Sequence, residues 1–180
     1  MPDQRRLVRP TRERLTAYAD LIEDAQNAGE DGDGYNLLRV EPMRRNPAAY
    51  MRAMADFEAG RNLPESYVPQ STRWLLDADG VLVGEARIRH GLNDDLEVEG
   101  GHVGYFVGRH HRGLGHGRAI LHLALIELRA LGVSRVLVTC NADNHRSRRV
   151  IEANGGVFRR TTVSPRSGKD VATFWIENGA

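Results

Sequence analysis

The chain has 180 residues, the length of one domain, and enough to bury most of its apolar surface. Hydrophobic residues make up 41% and charged residues 27%, which excludes collagenous and wholly disordered chains. With 25 basic and 24 acidic residues the net charge is +1, so no global field draws the protein to nucleic acid or a membrane. The single cysteine, Cys140, excludes an intrachain disulfide and a cysteine-rich zinc site. Neither a leader-like apolar stretch nor a run of about 18 apolar residues is visible, so the expectation is a cytoplasmic protein.

Leu7 to Pro10 reads as a short strand, followed by Thr11 at a helix N-cap position. Leu15, Tyr18, Ala19, Leu21, Ile22 and Ala25 then recur at helical spacing. Gly29 to Gly34 ends that helix in an acidic loop. Its Asp31-x-Asp33 pair does not make a calcium loop, because position 12 is Pro42 rather than Glu. A second helix is predicted over Pro47–Ala59, with Tyr50, Met54 and Phe57 on one face as core.

From Ser71 the period changes to two. Thr72–Leu76 and Val81–Ile88 are predicted strands joined by the turn Asp77-Ala78-Asp79-Gly80, and a third strand is predicted over Glu97–Val107. A helix follows from about Gly117 to Leu131, stopped by Gly132. Val133–Thr139 is a strand, Asn144–Asn154 a helix stopped by Gly155-Gly156, and Val157–Val163 and Val171–Ile176 are the last strands. The order gives an α/β (α+β) class: a single domain with a mixed, mostly antiparallel central sheet flanked by helices.

Chemistry concentrates where the third strand runs into Arg112-Gly113-Leu114-Gly115-His116-Gly117-Arg118. Glycines let the backbone turn with positive φ and approach a ligand closely. The unpaired N–H groups of the following helix turn, with its dipole, favour phosphate. Arg109, Arg112 and Arg118 add planar cationic forks. A Walker loop is absent for want of Lys-Ser or Lys-Thr after the glycines, and a dinucleotide fingerprint fails on its third interval.

Arg112-x-x-Gly115-x-Gly117 resembles the acyl-CoA signature of the Gcn5-related N-acetyltransferase (GNAT) superfamily, Q/R-x-x-G-x-G/A. Asn144-x-x-Ser147, leading to Ile151 and Gly155-Gly156, is similar to that family's second segment, at a separation that suits one helix and one strand. The two motifs span about residues 97–160. The resemblance implies acetyl-CoA as cosubstrate and no metal. The strand at Tyr105, Phe106 and Val107 would pair with the pantetheine arm, and Arg112, Gly113, Leu114, Gly115, His116, Gly117 and Arg118 would wrap the pyrophosphate. Asn144 and Ser147 would line the pantetheine or adenosine side. Packing in an ordinary sheet accounts for Tyr105 and Val107 as well.

Acetylation of an amine requires a neutral nucleophile, and a lysine-like amine has a pKa of about 10.4. A base near the strand end is therefore expected. Strand alternation groups Glu97, Glu99, Gly101 and Val103 on one face and His102, Gly104 and Phe106 on the other. The family's glutamate position falls near Gly101, so Glu99 is the preferred catalytic base; a bulge at Gly100-Gly101 would make His102 its rival. The family's tyrosine acid, seven residues after the helix Asn, is here Ile151, which leaves Cys140, Ser147 or water.

The seven histidines lack metal-ligand spacing, and Arg146, Arg148 and Arg149 suit CoA phosphates or solvent better than nucleic acid. The expected partner is a small-molecule or peptide amine acceptor, with no nucleic acid and no membrane. It is expected to enter between the first two helices and the meander near Tyr35, Tyr50 and Phe57, with Glu30–Asp33 placed to attract a cation. Dimers are common in the family, which leaves a homodimer open. The alternative reading is a noncatalytic acyl-CoA-binding regulatory module, and a third is nucleotide binding without CoA.

Overall fold

A computed structural model describes residues 4–29 and 40–179. Strand β1 (Arg6–Val8) leads through a 3-10 turn at Arg12–Arg14 into helix α1 (Leu15–Asn27). Thr11 precedes that turn but makes no side-chain cap. Helices α2 (Val40–Arg45) and α3 (Pro47–Glu58) follow; Asn46 caps α3 by accepting the Ala49 N–H, with Pro47 opening the helix. Tyr50, Met54 and Phe57 are only half-buried, so α3 is a surface helix rather than part of the core. Tyr35 and the Glu30–Asp33 loop lie outside the described residues.

Strands β2 (Gln70–Leu76) and β3 (Leu82–Arg89) form the expected hairpin. Asp77 closes its turn by accepting the N–H groups of Asp79 and Val81. The third strand does not start at Glu97. Asp94–Val98 is a short helix, α4, and β4 covers only Val103–Val107. Asn93 accepts the Leu96 N–H, and Asp94 and Asp95 sit at the positive end of α4, so this segment starts a helix. Gly100 and Gly101, at φ 124° and 59°, then break the extended path. The alternation assigned to residues 97–103 therefore does not hold.

Helix α5 (His116–Ala130), strand β5 (Arg135–Asn141), helix α6 (His145–Glu152) and strands β6 (Val157–Val163) and β7 (Asp170–Glu177) complete the chain. The strands pair antiparallel in two sheets, β1-β2-β3-β4 and β5-β7-β6. On one face, Ile120, Leu121, Ala124 and Leu128 of α5 and Ile151 of α6 pack on Val83, Ala86, Ile88, Val138 and Phe174. On the other, α1 and α2 bury Tyr18, Ile22 and Met43 against Trp74 and Phe106. Tyr18 stacks on Trp74 at 4.7 Å between ring centroids.

The two sheets are joined at His102. His102 donates its backbone N–H to the Leu137 carbonyl (2.8 Å), and Leu137 returns its N–H to His102 Nδ1 (2.9 Å). Gly101 makes this approach achievable: a Cβ there would lie 2.5 Å from the Leu137 oxygen. Gly101→Ala is expected to destabilise the fold by about 2–4 kcal/mol, combining left-handed strain with overpacking, as read from urea unfolding midpoints.

Candidate active site

Beyond the His102 joint, β4 and β5 have no ladder between them, and a cleft of about 980 Å³ lies along β4, the α5 N-terminus and α6. Hydrogen bonds from Arg89 N–H to the His102 carbonyl and from Gly108 N–H to the Val83 carbonyl turn the even-numbered residues of β4 towards β3. The main-chain groups of Tyr105 and Val107 therefore face the cleft. A strand edge, a glycine loop and a helix start converge on one space.

Of the predicted ligand residues, Tyr105, Phe106, Val107, Arg112, Gly113, Gly115, His116, Gly117, Arg118, Asn144 and Ser147 line this cleft. Phe106 offers it backbone only, because its ring packs near Tyr18 on the opposite face. Leu114 is not in the lining; it is exposed, and its carbonyl accepts from Arg5. Arg112 folds the loop back by donating Nε–H to the Val107 carbonyl (3.0 Å). Gly115 caps α5 at φ 80°, a conformation that strains any side-chain-bearing residue.

Tyr105 and Ser147 hydroxyls are 2.9 Å apart, and Asn144 caps α6 by accepting the Ser147 N–H (3.0 Å). A Cβ on Gly117 would make only ordinary contacts with Val150, Tyr105 and Val107. Sequence reasoning left out His111, Val150 and Ala153, and left Arg146 and Arg149 between phosphate and solvent; all five line the cleft. Arg146 and Arg149 place two more cations beside Arg112 and Arg118 at its wall. Arg148 instead lies over the Phe158 ring and pairs with Glu152.

Glu99 and His102 are not in that lining. Glu99 follows α4 and accepts hydrogen bonds from Ser164 and Ser167 of the β6–β7 hairpin while pairing with Arg166 at 3.2 Å. Burial alone would raise its pKa, but these donors outweigh burial and hold it below the ordinary glutamate value. His102 is buried, which lowers its pKa and keeps it neutral near pH 7. Because Nδ1 accepts from Leu137, the ring proton resides on Nε2. Ile151, where the resemblance places an acid, is fully buried in the core. Among the described residues, no group of three or more side chains could hold a metal ion, and no helix is long and apolar enough to cross a membrane.

The acetyltransferase (GNAT) family model matches residues 33–155, and the chain belongs to that family. No curated protein matches the sequence. Among solved structures, the chain is similar to Mycobacterium smegmatis RimJ in complex with CoA-disulfide (TM-score 0.73, 17% identity, 96% of this chain and 81% of that one). It is also similar to RimL, a ribosomal L7/L12 alpha-N-protein acetyltransferase in complex with coenzyme A (0.72, 13%, 98% and 96%). A third is MccE, a microcin C7 self-immunity acetyltransferase in complex with acetyl-CoA and AMP (0.69, 12%, 97% and 93%).

The Glu99 clasp gives a pH prediction. A carboxylate whose folded pKa is depressed stabilises above its unfolded value, about 4.3, and that stabilisation is lost as pH falls through the folded value. Wild type should exceed Glu99→Gln in urea midpoint at pH 7, and the gap should narrow as pH falls below about 4.

Proposed function

We propose that the protein transfers an acetyl group from acetyl-CoA to a primary amine by direct attack in a ternary complex. The observation that carries this reading is the convergence on one cleft of the β4 edge, the glycine loop and the α5 N-terminus, walled by Arg112, Arg118, Arg146 and Arg149. Amide groups and arginines would hold the pyrophosphate, as helix N-termini do for phosphates generally. The main-chain groups of β4 that face the cleft would pair with the pantetheine arm and place the thioester at the strand edge. An N–H there would stabilise the developing oxyanion.

The amine nitrogen attacks the thioester carbonyl carbon, the C–S bond breaks, and the amine proton passes to a base. Glu99 is the better candidate: it is ionised at neutral pH and one-fifth exposed. His102 has no lone pair to offer, since Nδ1 is engaged and Nε2 carries the proton. Its role in this reading is to join the sheets. A base of depressed pKa acts weakly, through water, and most of the rise in rate with pH should follow the acceptor's own ionisation. The departing thiol has an ordinary pKa of about 8.5, so a thiolate is a tolerable leaving group without an acid at Ile151.

Two measurements test this. Gly115→Ala should weaken coenzyme A binding about tenfold by calorimetry, because left-handed strain costs about 1–2 kcal/mol, whereas Gly117→Ala should change it less than twofold. Glu99→Gln should lower kcat about a hundredfold in thiol-release assays with coenzyme A affinity unchanged. Binding without thiol release across a broad amine panel would instead favour the noncatalytic module, a reading that the buried Ile151 keeps in play.

A further inference from the structure

On the face of the first sheet that carries α1, β3 presents three charged side chains in a row: Glu85, Arg87 and Arg89. The first two neutralise each other, with Arg87 Nε 2.8 Å from Glu85 Oε1, and Glu85 also accepts from the buried Tyr18 hydroxyl. Arg166, across the hairpin, is matched by Glu99. Arg89 is different. Its Nη1 donates to the carbonyls of Gly100 and Gly101, both at 2.9 Å, and no carboxylate pairs with it among the described residues. Burial, with Arg87 and Arg166 nearby, pushes its pKa down to about 10, so it stays charged at neutral pH in surroundings that disfavour the charge.

A partly buried, unmatched guanidinium is costly, and partner carbonyls compensate only part of that cost. The guanidinium is not sealed in. Arg89 is only half-buried, its Nη2 lies over the bare Gly104 of β4, 3.7 Å from where a Cβ would stand, and Nη1 alone makes the two carbonyl bonds. The guanidinium therefore lies over β4 one residue from Tyr105, on the opposite face of the strand from the cleft and its arginines. That is the side from which an acceptor would reach a thioester lying on the α5 and α6 side. We propose that Arg89 receives a carboxylate of the acceptor, so that the substrate class is a small amine bearing an acidic group, an α-amino acid being the simplest. The inference rests on the amine-acceptor reading above and gives it a sign opposite to the cationic acceptor expected from Glu30–Asp33.

The experiment uses matched triplets of an α-amino acid, its amide and the decarboxylated amine, across small, aromatic, acidic and basic side chains, with thiol release as readout. Wild type should prefer the acid of the best triplet at least tenfold in kcat/KM, chiefly through KM. Arg89→Met should bring the acid-to-amide ratio near one, and Arg89→Lys should restore part of the preference, with coenzyme A affinity unchanged in both. A merely structural role for Arg89, holding the two glycine carbonyls, would lower all members alike and leave the ratio intact, and that result would overturn the inference. Turnover of amides and amines as fast as acids by wild type would overturn it too, while leaving amine acetylation standing. No turnover of any member, with coenzyme A still bound, would overturn the inference, and thiol release with the broad amine panel would then separate its failure from that of amine acetylation.

Discussion

A reciprocal pair of hydrogen bonds between His102 and Leu137 determines where the two sheets touch, and because no β4–β5 ladder continues from it, where they part. One bond uses the histidine's main chain and the other its ring, so the residue substitutes for the next rung of a ladder that does not continue. From that point β4 keeps β3 on one side and turns the main chain of Tyr105 and Val107 to the cleft on the other. The glycine loop, the α5 N-terminus and the capped start of α6 then lie around the opening. Buried, neutral and fixed in one tautomer, His102 is suited to architecture and poorly suited to taking a proton.

Much of this was legible in the residues. The Arg112–Gly117 spacing reports a local requirement, a left-handed glycine capping a helix after a strand, and local requirements survive in a single sequence. Asn144 and Ser147 were legible for the same reason: one caps the other's N–H three residues on. What sequence reasoning misplaced depends on context. The Asn93-Asp94-Asp95 run carries both turn and cap chemistry, and the strand reading of Glu97 and Glu99 gave way to α4 because capping and helix dipole agree there. The partners of Glu99 come from a hairpin some 65 residues away, beyond any periodicity. Leu114 was grouped with its glycine neighbours, yet it contributes a carbonyl to Arg5 and leaves its side chain in solvent.

Charge is distributed by face. On the α5–α6 side the arginines gather at the cleft wall, where a polyanion would meet them. On the α1 side of β3, Glu85 matches Arg87 while Arg89 has only carbonyl partners among the described residues; on the α5 side, Glu58 and Glu127 match Arg73. Against those pairs Arg89 is the exception, a half-buried cation that an arriving anion would stabilise. The bare backbone serves both ends: Gly101 lets β5 approach, and Gly104 lets the Arg89 guanidinium lie over β4.

The central claim is that coenzyme A lies along the β4 edge in the space opened beyond the His102 joint. Backbone hydrogen exchange measured with and without coenzyme A tests it most directly. The account predicts slowed exchange over residues 105–107 and 112–118, with little change in β6 and β7. Slowing confined to other segments, or none at saturating ligand, would contradict it.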